Sequence, residues 1–211
     1  MAETDVDLRE GVTALGLALD EPQQAQLAAY LALLGKWNKT YNLTAIRDPL
    51  QGVSHHLLDS LAVLPELSDR AGPLADVGSG GGLPGIPIAI AEPARRVTLN
   101  DTSEKKGAFL RQAIIELGLR NASVHVGRVE DWRPAEGFAV VISRGFASLV
   151  DFLASCRHLA APAGVFAAMK GVYPRDELAA VSADCDCHDV RRLKVPLLDA
   201  ERHLVLCRVG S

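Results

Sequence analysis

A glycine-rich segment and two aspartates are the residues whose types and spacing most directly suggest chemistry. The run DVGSGGGLPG (residues 76–85) follows a short apolar stretch. Glycines at a turn after a strand let a ligand approach the backbone, because no Cβ stands in the way. Asp101 follows the next predicted strand, where a Rossmann-type fold places the carboxylate that binds ribose hydroxyls. We therefore expect this segment, with Asp76, Gly78, Gly80 and Asp101, to bind a nucleotide-like cofactor, the alternative being a tight structural turn.

The form of the glycine run favours one cofactor class. No Gly-Lys-Ser/Thr follows the glycines, which argues against a phosphate-binding P-loop. The pattern D-x-G-x-G-x-G resembles methyltransferase motifs, and a nearby carboxylate suits the ammonium group of S-adenosylmethionine. A dinucleotide oxidoreductase is disfavoured, since the chain lacks a Tyr-x-x-x-Lys pair. The segment therefore predicts S-adenosylmethionine as the cofactor.

The elements that must position these residues alternate between strand and helix from Leu74 onward. Such alternation is typical of βαβ units. We therefore predict an α/β fold: a doubly wound, mainly parallel, seven-stranded Rossmann-like sheet of the methyltransferase type. A helix is expected over Glu104–Leu117, ended by Gly118, and another over Leu149–Leu159. The seven predicted strands are Leu74–Val77, Val97–Leu99, Ser123–Val126, Ala139–Ser143, Val165–Met169, Val190–Val195 and His203–Arg208.

The first third of the chain is predicted to be helical. A short helix is expected over Val6–Leu17, and Asp20 is placed to cap a second one that carries an apolar stripe to Trp37. A polar loop is expected from Asn38 to Asp48, and a third helix after Pro49. The prediction is an N-terminal helical extension over residues 1–72 and a methyltransferase domain over residues 73–211, forming one compact unit.

Composition limits the location and the partners of the protein. The N-terminus, MAETDVDLRE, is acidic, and the apolar runs are short, so neither a signal peptide nor a membrane span is expected. A cytoplasmic location follows. Four cysteines at irregular spacing predict buried or idle thiols and no metal site. The formal net charge is −4, so a nucleic-acid partner would need a local basic patch.

Several segments in a fixed order resemble one family, the ribosomal small-subunit RNA methyltransferase G family, also called glucose-inhibited division protein B. The resemblance extends from about Ala14 to the C-terminus. The segments W-N-K with Y-N-L-T and I-S-R are the most specific, whereas the glycine loop is shared widely among methyltransferases. The matching segments are residues 37–39, 41–44, 47–49, 56–60, 76–87, 105–106, 109–111, 128–130, 142–144, 169–171 and 201–203.

The resemblance implies methyl transfer to N7 of guanine 527 in 16S ribosomal RNA. It also implies that Gly78, Leu83, Val129, Glu130 and Arg144 lie at the cofactor. One departure is Gly81, where many members of the family carry proline. The partner implied is 16S ribosomal RNA within a small-subunit particle, and the protein is expected to be a monomer.

The chemistry expected of the sequence agrees with N7 as the acceptor atom. N7 of guanine has a lone pair and no proton to remove, so the enzyme can act mainly by holding the reactants in line. No cysteine neighbours a proline, as a pyrimidine C5 methyltransferase would require. The segment after the fourth strand reads I-S-R-G-F rather than the Asn/Asp-Pro-Pro-aromatic loop of amine methyltransferases.

Five residues outside the glycine loop are candidates for positioning the substrate. Asn42 and Arg47 lie in the polar loop, and Lys170 ends a strand. His56 lies on the apolar stripe of the third helix, with Asp59 spaced to hydrogen-bond to it. The alternatives are a buried, satisfied histidine and a solvated lysine; Arg144 could likewise make only a surface ion pair.

The basic residues that could converge on RNA lie along much of the chain. Lys105 and Lys106, taken alone, predict an ordinary solvated helix face. Two other functions stay open from the sequence: a small-molecule methyltransferase, and a nonenzymatic ribosome-binding module with a vestigial cofactor pocket. The candidates for RNA binding are Lys36, Lys39, Arg47, Lys105, Lys106, Arg111, Arg144 and Lys170.

Overall fold

Seven strands form the sheet around which the chain is built in the computed structural model, which describes residues 3–209. The order across the sheet is β3-β2-β1-β4-β5-β7-β6. All neighbouring strands are parallel except β7, which is antiparallel to both β5 and β6. The predicted α/β fold is therefore confirmed. The strands are β1 Leu74–Val77, β2 Val97–Asp101, β3 Ala122–Val126, β4 Phe138–Arg144, β5 Ala160–Lys170, β6 Cys185–Arg192 and β7 His203–Val209.

Helices cover both faces of this sheet. In β1 all four residues are buried, as expected of a parallel strand covered on both sides. The helix over residues 49–61 is continuous but has a π-helical centre at Val53–Leu58. The α-helices are α1 Glu3–Ala14, α2 Glu21–Tyr41, α3 Pro49–Gly52, α4 Asp59–Leu61, α5 Gly85–Ala91, α6 Glu104–Leu117, α7 Leu149–Cys156 and α8 Arg175–Ala180.

Local sequence explains where several helices begin and end. Asp20 caps α2 by accepting the backbone N–H of Gln23 at 2.8 Å, and the Gln23 side chain accepts the N–H of Asp20. This reciprocal capping box satisfies two N–H groups that would otherwise lack partners. Gly118 ends α6 in the left-handed conformation, as predicted.

Several predicted boundaries were wrong. The fifth strand begins at Ala160 rather than Val165, and the α-helix from Leu149 ends at Cys156 rather than Leu159, since a 3-10 turn follows it. The first helix spans Glu3–Ala14 rather than Val6–Leu17. The second helix runs to Tyr41, so the start of the predicted polar loop is helical. The sixth strand is Cys185–Arg192 rather than Val190–Val195, because its pairing partner is β7, with Cys185 opposite Val209 and Arg192 opposite His203. The apolar residues after Arg192 misled the sequence prediction.

One cysteine prediction was also wrong. Cys187 and Cys207 are joined by a disulfide, whereas Cys156 and Cys185 are free. The two bonded residues lie 20 positions apart, and the irregular stretch between Asp186 and Asp189 sets β6 against β7 at that point. Cysteine spacing alone carries no information about such a cross-strand neighbour.

The N-terminal helices share a core with the sheet. Leu8, Leu27 and Leu57 belong to the same buried cluster as Leu74 of β1 and Leu204 of β7. We propose on this basis that residues 1–72 and residues 73–211 form one cooperative unit.

Truncation of a helical side chain in the shared core tests that proposal. Leu57→Ala should lower the free energy of unfolding by about 2–5 kcal/mol and leave one transition, since Leu57 is fully buried. Ile115→Ala, at a position 73% exposed on α6, is the matched control and should change it by less than about 0.5 kcal/mol. Urea unfolding followed by circular dichroism and tryptophan fluorescence measures both. Separate transitions for the helices and the sheet would contradict the proposal.

Candidate active site

The glycine loop lies at the carboxyl ends of β1 and β2, beside the point where the strand order reverses between β1 and β4. Ligands bind at this point in open α/β sheets. The loop is fixed to β2, since Ser79 donates its N–H to the carbonyl of Asn100 at 2.9 Å. Gly78 has φ +71°, and a Cβ built there would meet no atom within 4 Å. The backbone at Gly78 therefore borders open space, which fits a bound cofactor.

Asp101 lies next to this loop, as predicted. Its Oδ2 accepts the N–H of Gly80 at 3.0 Å, and its Oδ1 accepts the N–H of Ser103 at 2.9 Å. Lys106 Nζ lies 3.4 Å from Oδ2. Lys106, expected on a solvated helix face, is 42% exposed and in addition reaches Asp101 from the first turn of α6. Gly78, Gly80 and Asp101 form one cluster.

Asp76 lies beneath the loop rather than in the open space beside it. Its side chain is fully buried, and Oδ2 accepts the N–H of Gly85 at 2.9 Å, while Oδ1 has no hydrogen-bond partner among the described residues. Burial raises the pKa of this carboxyl to about 7. A Cβ at Gly85 would lie 2.7 Å from Asp76 Oδ2, so glycine is required for this contact. Asp76 thus fixes the start of α5.

The other predicted cofactor residues are divided between core and surface. Leu83 is buried in the core that contains the N-terminal helices. Val129 is buried and belongs to the cluster that includes Val77 at the end of β1. Glu130 is exposed; its Oε1 lies 3.7 Å from Arg128 and accepts the hydroxyl of Ser155 at 3.4 Å. Their contact with a cofactor stays a prediction.

A second feature of the site is a cavity of about 460 Å³ near the carboxyl end of β4. It brings together four of the predicted residues, His56, Asp59, Arg144 and Lys170, which come from distant parts of the sequence. Thr44 and Arg202 also line it. The structure thus places Arg144 with the predicted substrate residues. Among the described residues, no hydrogen bond joins it to the glycine loop.

Asp59 is the central side chain of this cavity. It is buried, its Oδ2 accepts Arg144 Nη1 at 3.0 Å, and its Oδ1 accepts Arg202 Nε at 2.9 Å. Arg144 Nη1 also donates to the carbonyl of His55 at 3.0 Å. Because its two oxygens accept from two different guanidinium groups, Asp59 positions both arginines.

His56 is a neutral hydrogen-bonding group. Its Nε2 lies 2.9 Å from the hydroxyl of Thr44, and Nδ1 has no partner within residues 3–209. Burial, and secondarily the charge of Arg144, lowers the pKa of His56 to about 4. The predicted hydrogen bond between His56 and Asp59 was wrong: the carboxylate of Asp59 binds the two arginines instead.

The remaining substrate candidates differ in their surroundings. Lys170 Nζ donates to Glu177 Oε2 at 2.8 Å at the edge of the cavity. Asn42 ends α2 in the left-handed conformation, and its Oδ1 accepts Arg47 Nη2 at 3.3 Å. Both Asn42 and Arg47 are exposed, outside the set that surrounds Arg144.

Four contributors were not predicted. Arg202 was part of a matching segment but had no assigned role, and nothing in the local pattern indicated its contact with Asp59. Thr44 bonds to His56, and Glu177 accepts both Lys170 Nζ and the N–H of Leu149. Tyr30, fully buried on α2, donates its hydroxyl to the carbonyl of Gly81, and burial raises the pKa of that phenol. It thereby connects α2 to the glycine loop.

Neither a metal-binding cluster nor a membrane-spanning helix is found in the described part of the chain. Within residues 3–209, no group of three or more His, Cys, Asp or Glu side chains is arranged to hold a metal ion. None of the helices described has both the length and the apolar character needed to cross a membrane.

The strand order, the glycine loop and the antiparallel β7 define the class of fold as the Rossmann-like fold of methyltransferases. Solved structures agree. The DhpI complex with SAH superimposes with a TM-score of 0.57 at 18% identity, covering 89% of this chain and 97% of that one. The glycopeptide N-methyltransferase MtfA gives a TM-score of 0.61 at 13% identity, covering 77% and 100%. At such identities the likeness concerns the fold alone.

Sequence comparison gives the family. The model of the GidB family, rRNA small subunit methyltransferase G, matches residues 23–205. A protein of Aromatoleum aromaticum named ribosomal RNA small subunit methyltransferase G is 55% identical, covering 94% of this chain and 96% of that protein. One of the same name from Burkholderia ambifaria is 53% identical, covering 94% and 89%. The chain belongs to the rRNA small subunit methyltransferase G family.

The buried Asp76 predicts a specific pH dependence of stability. Its pKa of about 7 exceeds that of an exposed aspartate, so the folded protein binds this proton more tightly than the unfolded chain. Its contribution to stability is therefore present at low pH and lost as pH rises from about 4 to about 7. Asp76→Asn removes the titration, so its stability relative to wild type should increase across that window and level off above it.

Urea unfolding of both proteins at intervals from pH 4 to pH 8 measures the effect. The opposite slope from His56, whose folded pKa is low, is common to both proteins and cancels in the difference. A constant difference would show that Asp76 ionises as in the unfolded chain, and a falling one that folding lowers its pKa; either would contradict the prediction.

Proposed function

We propose that this protein transfers a methyl group from S-adenosylmethionine to N7 of guanine 527 in 16S ribosomal RNA. The observation that carries the proposal is the family match over residues 23–205, in a chain whose glycine loop and Asp101 are arranged for a nucleoside cofactor. The choice of guanine 527 and its N7 atom rests on the resemblance to the family. The geometry of the cavity around Arg144 supports this choice of chemistry.

The residues at the glycine loop fit the methyl donor. The open backbone at Gly78 leaves room for the donor, and Asp101 lies where its carboxylate can accept ribose hydroxyls beside Gly80. Val129, in the turn after β3, packs on adenine in this proposal, and Leu83 and Glu130 contribute further contacts to the donor. Asp76 supports the loop from beneath.

The reaction needs little from the protein beyond alignment. S-adenosylmethionine supplies an electrophilic methyl group: the N7 lone pair forms the new N–C bond as the S–C bond breaks, leaving S-adenosylhomocysteine and a cationic guanine. Since N7 carries no proton, no general base is required. The cavity agrees with a reaction that needs no general base, because Asp59 is held by two arginines and His56 has a pKa of about 4.

The residues around the second cavity then have binding and orienting roles. Arg144 and Lys170 are placed to bind a phosphate or the donor carboxylate, and bidentate recognition by Arg144 would fix orientation as well as charge. His56 offers a neutral hydrogen-bonding edge to the guanine, and Asp59 positions Arg144. Asn42 and Arg47 contact RNA outside the cavity.

The net charge of the protein limits how it can bind RNA. A net charge of −4 gives little general attraction for RNA, so recognition depends on local basic groups and on the shape of the target. We therefore propose that the substrate is 16S ribosomal RNA within a small-subunit particle. We also propose that the enzyme acts as a monomer and that it works in the cytoplasm.

Methyl transfer to ribosomal RNA is the direct test. Radiolabelled S-adenosylmethionine is incubated with small subunits lacking their methylations, and the labelled nucleotide is mapped. Label at N7 of guanine 527 is the expected result. Binding of the donor with no label on particles or free RNA would overturn the proposal and would favour a small-molecule methyltransferase or a nonenzymatic ribosome-binding module.

Arginine and lysine variants test the proposed site. Arg144→Ala should lower kcat/KM for RNA methylation at least about 100-fold, equivalent to about 2.7 kcal/mol, because Arg144 lies in the cavity at the end of β4. Lys105→Ala, on an exposed face of α6, should lower it less than about threefold. Steady-state kinetics on small subunits measures both. Comparable, mild effects would remove Arg144 from the site.

A further inference from the structure

A second cleft lies next to the cavity that contains Arg144, and His56 lines both of them. It has a volume of about 390 Å³ and lies between α1, α2 and the segment 44–57. Its floor is apolar, formed by side chains that include Leu8, Leu31, Leu34, Ile46 and Val53. A cleft of this size with an apolar floor is within the range that binds small organic groups, and the flat face of a nucleobase is such a group.

The rim of this cleft is cationic. Lys36, Lys39 and Arg47 line it, and all three are exposed. Within the described chain, neither lysine forms an ion pair with a carboxylate. The acid among the lining residues is Asp48, whose Oδ1 accepts the N–H of Leu50 at 3.0 Å and so caps α3. The cleft therefore combines an apolar floor with three cations, in a protein of net negative charge.

The cleft is continuous with the site already described. Thr44, Ile46 and His56 line both this cleft and the cavity that contains Arg144. An RNA strand with one base in the cavity therefore reaches the cleft with a neighbouring nucleotide. Single-stranded RNA is recognised through unstacked bases on apolar surfaces and phosphates on cationic groups, and both are present here.

We propose that this cleft binds an unstacked nucleotide next to the target guanine, its base on the apolar floor and its phosphates against Lys36, Lys39 and Arg47. The proposal rests on the proposed function and adds a second nucleotide site to it. Two bases extruded together would require a flexible, unpaired target strand, which restricts the RNA shapes that the enzyme accepts.

Gly35 allows the cleft to be filled without disturbing the core. It lines the cleft from within α2, and a Cβ at this position would meet no atom within 4 Å. Gly35→Phe places a ring in the space proposed for the base. The expected result is a rise of at least tenfold in KM for small subunits and a similar weakening of binding to protein-free 16S ribosomal RNA, with the affinity for S-adenosylmethionine unchanged within twofold.

Two variants serve as controls. Ala29→Phe adds the same ring at an exposed position of α2 that does not line the cleft, and its KM should match that of wild type. Gly35→Ala separates the effect of the ring on folding from that of losing the glycine: it should raise Tm, because alanine favours a helix over glycine. If Gly35→Phe fails to fold, Lys36→Glu and Lys39→Glu test the cationic rim by the same kinetics, each expected to raise KM for the RNA.

The outcomes separate this inference from the proposed function. A wild-type enzyme that methylates RNA together with a Gly35→Phe enzyme within twofold of it would overturn the second site alone. An effect on small subunits with no change in binding to protein-free RNA would also overturn it, assigning the cleft to a ribosomal protein. Failure of the wild-type enzyme to methylate RNA would instead overturn the proposed function, and this inference with it.

Discussion

The buried carboxylate of Asp59 between Arg144 and Arg202 joins three parts of the chain that are far apart in sequence. A buried charge is costly unless it is paired, and removing one partner of such a group leaves the others uncompensated. The helical N-terminus, the end of β4 and the segment before β7 are therefore held in one geometry. Both guanidinium groups are thereby placed at the cavity that the proposed reaction uses.

Neutral buried groups and cationic side chains lie together at this end of the sheet, and both match the proposed chemistry. Burial favours the neutral forms of Asp76 and His56, so the charge at the cavity comes from Arg144, Arg202 and Lys170 and from the carboxylate of Asp59 between the two arginines. The three cationic side chains that line the cavity suit a negatively charged RNA strand. The cavity is unsuited to a mechanism that needs a strong base, and transfer to N7 needs none.

Much of the arrangement around the glycine loop could be predicted from the sequence. The glycine run and Asp101 depend on short-range patterns, since a strand, a turn and an acid after the next strand recur at fixed spacing. The side-chain contacts, above all those in the cavity around Arg144, were predicted less well. Asp59 and Arg202 are 143 positions apart, and the partner of Lys106 lies on the preceding strand. Neither charge pattern nor helix periodicity carries information about such contacts. The predictions for Cys187 and Cys207 and for the bounds of β6 were wrong for the same reason, since both features depend on strand pairing.

The division of labour between the two parts of the chain follows from these contacts. The fold of the sheet is shared with methyltransferases of known structure. At the cavity, Thr44, His56 and Asp59 come from the helical N-terminus, whereas Arg144, Lys170 and Arg202 come from residues 73–211. Because Tyr30 binds the carbonyl of Gly81 and Asp59 binds Arg144, the same helices touch both the donor loop and the end of β4. The N-terminal helices are therefore held against both the glycine loop and the end of β4 by two polar contacts.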